Sequence, residues 1–134
     1  MKRYLTWHFP EGSHSNGSEA YYVDKAYSPY AVRIHAVTAP TTSDAEFEIL
    51  SDDVSIMSNR NVVRRDSYGR ITSNTTATSI VLTKGETSNE AADDFSDDEI
   101  ETETWLTCTM TNGGGGKNFI VQLELEAPDD EIDE

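Results

Sequence analysis

The sequence predicts an all-β protein in which antiparallel strands form two facing sheets, a β-sandwich. Short runs of residues alternate between apolar and polar side chains, and such runs recur seven or eight times with turn residues between them. Nowhere do apolar residues recur at helical spacing over eleven or more positions. The hydrophobic content of 36% is low for a globular chain, which suits half-buried strands that keep one polar face.

The early runs give the first three predicted strands. Residues 3–9 and 21–23 are expected to form two of them, separated by the Gly- and Ser-rich residues 12–18. The third covers residues 30–37, and the prolines at positions 29 and 40 are expected to limit it. Its apolar side is expected to carry Tyr30, Val32, Ile34 and Ala36, with Arg33 and His35 on the other side.

The middle of the chain predicts a hairpin followed by a polar insert. Residues 46–49 and 54–57 alternate on either side of a Ser-Asp-Asp break, which indicates two paired strands. Residues 58–78 are rich in Asn, Arg, Ser and Thr, and we expect a long excursion with at most a short edge hairpin.

The second half predicts three further strands. Residues 79–83 form a compact β-branched run, and the acidic residues 86–103 are expected to be a solvated connection anchored by Phe95 and Ile100. Residues 105–110 and 118–125 alternate strongly and are expected to pair as a hairpin. The four glycines between them are too many for a two-residue turn, so the tip is either mobile or pressed against a close neighbour. A sandwich of jelly-roll or immunoglobulin-like type follows.

Chain length and cysteine content limit the possible domain organisation. A chain of 134 residues is typical of one domain, which we expect over residues 1–126, with residues 1–20 as an N-terminal docking segment. Residues 127–134 are expected to be a disordered acidic tail. The single cysteine, Cys108, excludes an intramolecular disulfide.

The charge is strongly negative and unevenly distributed. The net charge is −15, and residues 71–134 hold sixteen acidic side chains against two basic ones, whereas residues 1–70 hold nine against eight. Binding to bare nucleic acid requires a basic surface, so we expect no nucleic-acid partner. A basic protein partner would instead be attracted at long range.

Several segments resemble small β-sandwich modules that are common among the structural proteins of tailed bacteriophages. The resemblance covers roughly residues 21–125 and lies in the segments 30–37, 47–57, 80–87, 94–98, 105–107 and the glycine-rich turn with its closing strand. This chain departs from the family pattern by Asp53, where the pattern has Gly, and by the longer insert at residues 58–78. Family members are head decoration or cement proteins, head fibres, and tail or baseplate appendages.

The resemblance implies a virion structural protein and names no catalytic residue, and we expect no cofactor. Its expected partners are major capsid or tail proteins and copies of itself as a homo-oligomer. We expect synthesis in the host cytoplasm without secretion, because the apolar stretch of a signal peptide is lacking after Lys2 and Arg3, and we expect no membrane partner because no run is long enough to cross a bilayer.

Aromatic residues near the N-terminus are the candidate interface. They are more numerous than one small core needs, and aromatic side chains with polar tips are favoured at protein interfaces and on sugar-binding faces. The candidate interface residues are Tyr4, Trp7, Phe9, Tyr21, Tyr22 and Tyr27.

Two other functions remain open from the sequence. One is a tail or baseplate appendage whose sandwich binds a host surface glycan, for which Trp7 and Trp105 are the probes. The other is an acidic mimic that occupies a basic nucleic-acid-binding site of a host protein.

Metal binding and catalysis have weak support in the sequence. Residues 93–99 are rich in oxygen ligands but lack the spacing of a helix-loop-helix calcium site, and His8, His14 and His35 are far apart. No Gly-x-Ser-x-Gly motif is present, and Cys108 lies on the apolar side of its strand. We therefore expect no metal site and no enzymatic activity.

Overall fold

The computed structural model describes residues 2–10, 15–16, 19–52, 54–57, 60–65, 68, 70–77, 79–92, 95 and 99–127. Within them the chain forms twelve strands and no helix. The strands are β1 (Lys2–Phe9), β2 (Ser15–Asn16), β3 (Tyr21–Val23), β4 (Ser28–Thr38), β5 (Ala45–Ser51), β6 (Val54–Ser55), β7 (Arg60–Arg65), β8 (Ile71–Ala77), β9 (Ile80–Leu82), β10 (Ser88–Ala92), β11 (Thr104–Asn112) and β12 (Lys117–Glu126).

The strands form two antiparallel sheets that pack face to face. One sheet has the order β1-β12-β4-β10. In the other, β11 and β5 pair at the centre, β2 and β3 flank β11, and β6 and β9 flank β5. If β2 and the segment from β6 to β8 are set aside, eight strands remain, and their sheet orders are those of a jelly roll. The predicted β-sandwich is therefore confirmed, and of the two predicted types the strand order selects the jelly roll.

The core fills the space between the two sheets. Apolar side chains on the inner faces of β1, β4, β5, β11 and β12 form one buried cluster, which residues of the shorter strands β3 and β9 join. The rings of Phe9 and Phe119 from the first sheet lie 5.4 Å and 5.2 Å from the ring of Phe47 in the second, measured between centroids. Burial of this apolar surface is the main driving force for folding, since no disulfide contributes.

The sandwich has two distinct ends. The glycine end consists of residues 39–44, 83–86 and 113–116, and the insert end consists of residues 24–27, 52, 54–57 and 99–103. The insert, residues 58–78, contains a separate two-stranded sheet of β7 and β8. The insert thus contains the short hairpin that the sequence allowed there.

The glycine end is tightly packed. Backbone amides of Thr41 and Thr42 both donate hydrogen bonds of 2.9 Å to the Gly114 carbonyl oxygen. A Cβ atom at Gly114 would overlap the Ser43 carbonyl oxygen, and the φ angle of Gly114 is +60°. The glycine tip is therefore pressed against a close neighbour, which is one of the two alternatives that the sequence left open.

The expected hairpin of the last two strands is wrong. Strands β11 and β12 lie in different sheets, because the glycine tip carries the chain from one sheet to the other. β11 pairs with β5, and β12 pairs with β1 and β4. Alternation alone reveals strands but not their partners, and strands next to each other in sequence need not pair.

Two other details of the prediction are corrected. β4 begins at Ser28 and includes Pro29. Its pairing with β12 shifts register between Glu124 and Leu125, and this shift turns Tyr30 outward. Val32 and Ile34 remain buried as expected. The acidic connection contains a strand, β10, that pairs with β4.

The anchors of the acidic connection lie as expected. Phe95 packs against the core while partly exposed, and Ile100 is buried.

Ala127, the first residue of the expected tail, is also buried, and residues 128–134 lie outside the described part. The described residues contain no helix that could cross a membrane.

Candidate interaction surface

The six aromatic residues of the predicted interface are divided between the core and the surface. Trp7, Phe9 and Tyr27 are buried, so they have no surface to offer to a partner. Tyr21 is half-buried against the core. Only Tyr4 and Tyr22 are exposed, and they lie on different sheets.

Trp7 is buried because it lies on the inner face of β1 and because its indole N–H has a hydrogen-bond acceptor. Its side chain shares the inner face with Leu5 and Phe9, and its indole N–H donates a 2.8 Å hydrogen bond to the Glu19 carbonyl oxygen. Tyr21 packs edge-on against the indole at 5.4 Å, and its hydroxyl donates to the Thr6 carbonyl oxygen. These contacts tie the edge strand β1 to the chain that follows it, so β1 is an integral part of the fold.

Exposed aromatic side chains gather at the insert end. Among the described residues, each exposed aromatic ring lies either near this end of its strand or in the insert. At the strand ends the exposed fractions are 52% for Tyr4, 43% for Tyr22, 48% for Tyr30 and 52% for Trp105. Tyr68 lies in the insert and is exposed as well. The rings at the strand ends therefore share one end of the sandwich but lie on both of its outer faces, Tyr4 and Tyr30 on one sheet and Tyr22 and Trp105 on the other.

Sequence reasoning missed two members of this surface. Trp105 has the strand parity opposite to that of Leu106 and Cys108, so the alternation itself contained the signal that its ring points outward. Tyr30 shares the parity of Val32 and Ile34, and only the register shift in β4 exposes it. No pattern in the sequence marks that shift.

Tyr22 and Trp105 form an exposed aromatic pair. They are cross-strand partners on β3 and β11, with ring centroids 5.2 Å apart and an interplanar angle of 58°. Asp52 fixes the backbone beside them, since its carboxylate accepts a 3.1 Å hydrogen bond from the Trp105 amide and its own amide donates to the Trp105 carbonyl oxygen. A tilted pair of this kind presents the faces of its two rings, together with their polar tips, to a partner.

An acidic pocket adjoins the aromatic pair at Asp52. It is a cavity of about 340 Å³ between the β5–β6 turn, the segment 99–101 and the start of β4. Its lining residues are Pro29, Ser51, Asp52, Val54, Ser55, Ile56, Glu99, Ile100 and Glu101. Three of these residues are acidic and none is basic.

A charge network crosses the outer face of the four-stranded sheet. The ammonium of Lys2 lies 2.6 Å from one carboxylate oxygen of Glu124, and the guanidinium of Arg33 lies 2.8 Å from the other. Arg33 also pairs with Glu90 at 2.8 Å, so the network joins all four strands. Hydrogen bonds from Lys2 and Arg33 hold the pKa of the Glu124 carboxyl below its usual value, and the same bonds raise the pKa of both basic groups.

The residues considered for metal binding or catalysis do not come together in the described structure. No group of three His, Cys, Asp or Glu residues within the described ranges could hold a metal ion. His8 and His35 flank Ile120 on the outer face of the four-stranded sheet, whereas His14 and most of residues 93–99 lie outside the described part. Burial raises the pKa of the Cys108 thiol.

Comparison of the chain with models of known protein families and with curated proteins finds no match. The jelly-roll strand order and the surface at the insert end are therefore the basis for a functional proposal.

Proposed function

We propose that this chain is a non-enzymatic structural protein of a tailed-phage particle, most closely a capsid decoration, cement or head-fibre protein, which docks through its insert end. The observation that carries the proposal is that exposed Tyr and Trp rings lie near that end on both sheets. Such rings dominate the energetics of protein interfaces because they bury much area at a small entropic cost. Jelly rolls are also a recurrent architecture of viral capsid domains, although a fold alone does not define a function.

Charge supports a basic partner. The chain carries a net charge of −15, and the exposed carboxylates of Asp52, Glu99 and Glu101 surround the same end as the aromatic rings. A basic patch on the capsid or tail lattice would attract this end and orient it before contact. Copies bound at equivalent lattice positions would meet around a symmetry axis, so a homo-oligomer forms on the particle.

The test uses particles of the phage that encodes the chain. A gold-labelled antibody against the chain should decorate intact particles, and particles lacking the chain should regain their melting temperature when the purified protein is added. Replacing both members of the aromatic pair, Tyr22→Ala with Trp105→Ala, should abolish this recovery.

The matched control is Val37→Ala, which removes an exposed apolar side chain near the glycine end. This variant should bind as the wild type does. Absence of the chain from purified particles would refute the proposal.

Glycan binding by a tail or baseplate appendage is the second candidate function. The exposed Tyr22–Trp105 pair favours it, because sugar-binding faces use aromatic rings and lectin domains include jelly rolls. Trp7 is buried, so only the emission of Trp105 should respond to a ligand at this surface. A saturable fluorescence change with host polysaccharide that disappears in Trp105→Ala would favour this function over the first.

A further inference from the structure

We infer that the acidic pocket at the insert end is a binding site for the side chain of an arginine from the partner protein. This inference deepens the proposed function and rests on it, because it names the chemistry of one contact that the docked chain makes. The pocket is distinct from the aromatic pair, although the two share Asp52 as a neighbour.

The walls of the pocket suit the aliphatic part of a long side chain. Pro29, Val54, Ile56 and Ile100 provide apolar surface on its sides. Ile56 and Ile100 are buried and held in place by backbone hydrogen bonds, from the Ile56 amide to the Ile49 carbonyl oxygen and from the Ile100 amide to the Tyr27 carbonyl oxygen. A volume of about 340 Å³ lies at the lower end of the range for ligand pockets, so the occupant is a small group and not a whole peptide.

The rim of the pocket suits a cationic head group. Asp52, Glu99 and Glu101 are exposed, and among the residues that the structure describes no basic side chain forms an ion pair with Glu99 or Glu101. An incoming positive charge would be attracted to these carboxylates. They are not grouped as metal ligands, which favours an extended cation over a single ion.

Arginine fits this combination better than lysine. Its guanidinium is more weakly hydrated than an ammonium, so apolar walls penalise it less, and it donates in a planar fork to carboxylates on more than one side.

The experiment titrates the whole chain with Nα-acetyl-arginine amide and follows backbone amide resonances by NMR. We expect saturable shifts at Ser51, Ser55 and Ile100, with weaker binding of the lysine analogue. The citrulline analogue, which has the same shape without the charge, should not bind. Shifts spread over the acidic surface without a focus at the pocket, or equal shifts with citrulline, would overturn the inference.

A matched pair of variants separates the pocket from general charge. Glu99→Gln with Glu101→Gln should weaken arginine binding by about fivefold or more, because two exposed ion pairs are lost. Glu19→Gln with Glu86→Gln removes the same charge from exposed residues that do not line the pocket, and it should leave the affinity nearly unchanged. Equal weakening in both variants would show that only the net charge matters.

Failure of this inference and failure of the proposed function are distinguishable. If particles bind the wild-type chain but the arginine probe does not occupy the pocket, only the pocket assignment is overturned. If the probe binds but particles do not carry the chain, the proposed function fails and the pocket remains a site for an arginine side chain.

Discussion

At the scale of single residues, the two tryptophans show how strand parity decides a side chain's role. Trp7 points between the sheets and Trp105 points away from them. We expect Trp7→Ala to lower the free energy of unfolding by about 3–5 kcal/mol, because a large buried ring leaves a cavity. Trp105→Ala should lower it by about 1 kcal/mol at most, through loss of the contact with Tyr22. Unfolding in guanidinium chloride measures both values, and equal losses would contradict the assignment of the two faces.

Glu124 gives stability a predictable dependence on pH. Its pKa in the folded chain is lowered by Lys2 and Arg33, so its stabilising contribution is complete above the pKa of the unfolded chain, about 4.3. The contribution is lost as the pH falls through the lower folded-state pKa. The wild type should therefore exceed Glu124→Gln in stability at pH 7, and the gap should narrow between about pH 5 and the folded-state pKa. Thermal unfolding of both proteins over this range measures the gap, and a constant gap would contradict the proposed pairing.

Single residues also show where sequence reasoning succeeds and where it cannot. Alternation identifies Val32 and Ile34 as core residues, since a strand with one buried face requires that spacing. The exposure of Tyr30 depends on a register shift against β12, which involves residues more than ninety positions away. A long-range feature of that kind leaves no local mark in the sequence.

At the scale of elements, the glycine tip between β11 and β12 has a strict steric requirement. We expect Gly114→Ala to destabilise the chain strongly, because an added Cβ would overlap the Ser43 carbonyl oxygen in a backbone conformation that already favours glycine. Gly85 also has a positive φ but nothing lies within 4 Å of its added Cβ, so Gly85→Ala is the matched control and should lose only about 1–2 kcal/mol. Chemical unfolding compares them, and equal losses would mean that the close approach at Gly114 is unimportant.

The insert is an element that the sandwich should not need. Among the residues that the structure describes, β7 and β8 pair only with each other. β6, which precedes the insert, and β9, which follows it, both pair with β5. Replacement of residues 58–78 by a short Gly/Ser linker should change the free energy of unfolding by less than about 1 kcal/mol, because loop length affects closure entropy only weakly. Circular dichroism and thermal unfolding test this expectation. Loss of the β spectrum would show that the insert is part of the folding unit.

The sequence predicted most strands but fewer of their partners. The hairpin formed by β5 and β6 was correct, because its turn is short and the pattern continues on both sides. β10 was missed because Ser88–Ala92 contains no β-branched residue, and its pairing with β4 supplies what propensity does not. The surface at the insert end was predicted only in part, since it is assembled from strands that are far apart in sequence.

At the scale of the whole molecule, the proposed docking onto a basic lattice makes the net charge a determinant of the association rate. A protein with a net charge of −15 is attracted to a basic lattice over about 10 Å at 0.1 M salt and over about 3 Å at 1 M salt. We therefore expect association with particles to slow by about tenfold or more between low and high salt, with little change in dissociation. Trp105→Ala should instead accelerate dissociation. Kinetics on immobilised particles separate the two effects, and a salt-independent association rate would exclude a basic partner.

The pairing of β1 with β12 determines when the protein can fold. Lys2 lies opposite Glu126, so β1 is synthesised long before the strand with which it pairs. Until then Trp7 and Phe9 remain in contact with water, and a nascent chain in that state is prone to aggregate. The sandwich therefore cannot close before β12 has left the ribosome, and the yield of native protein will depend on how well the cell protects β1 until then.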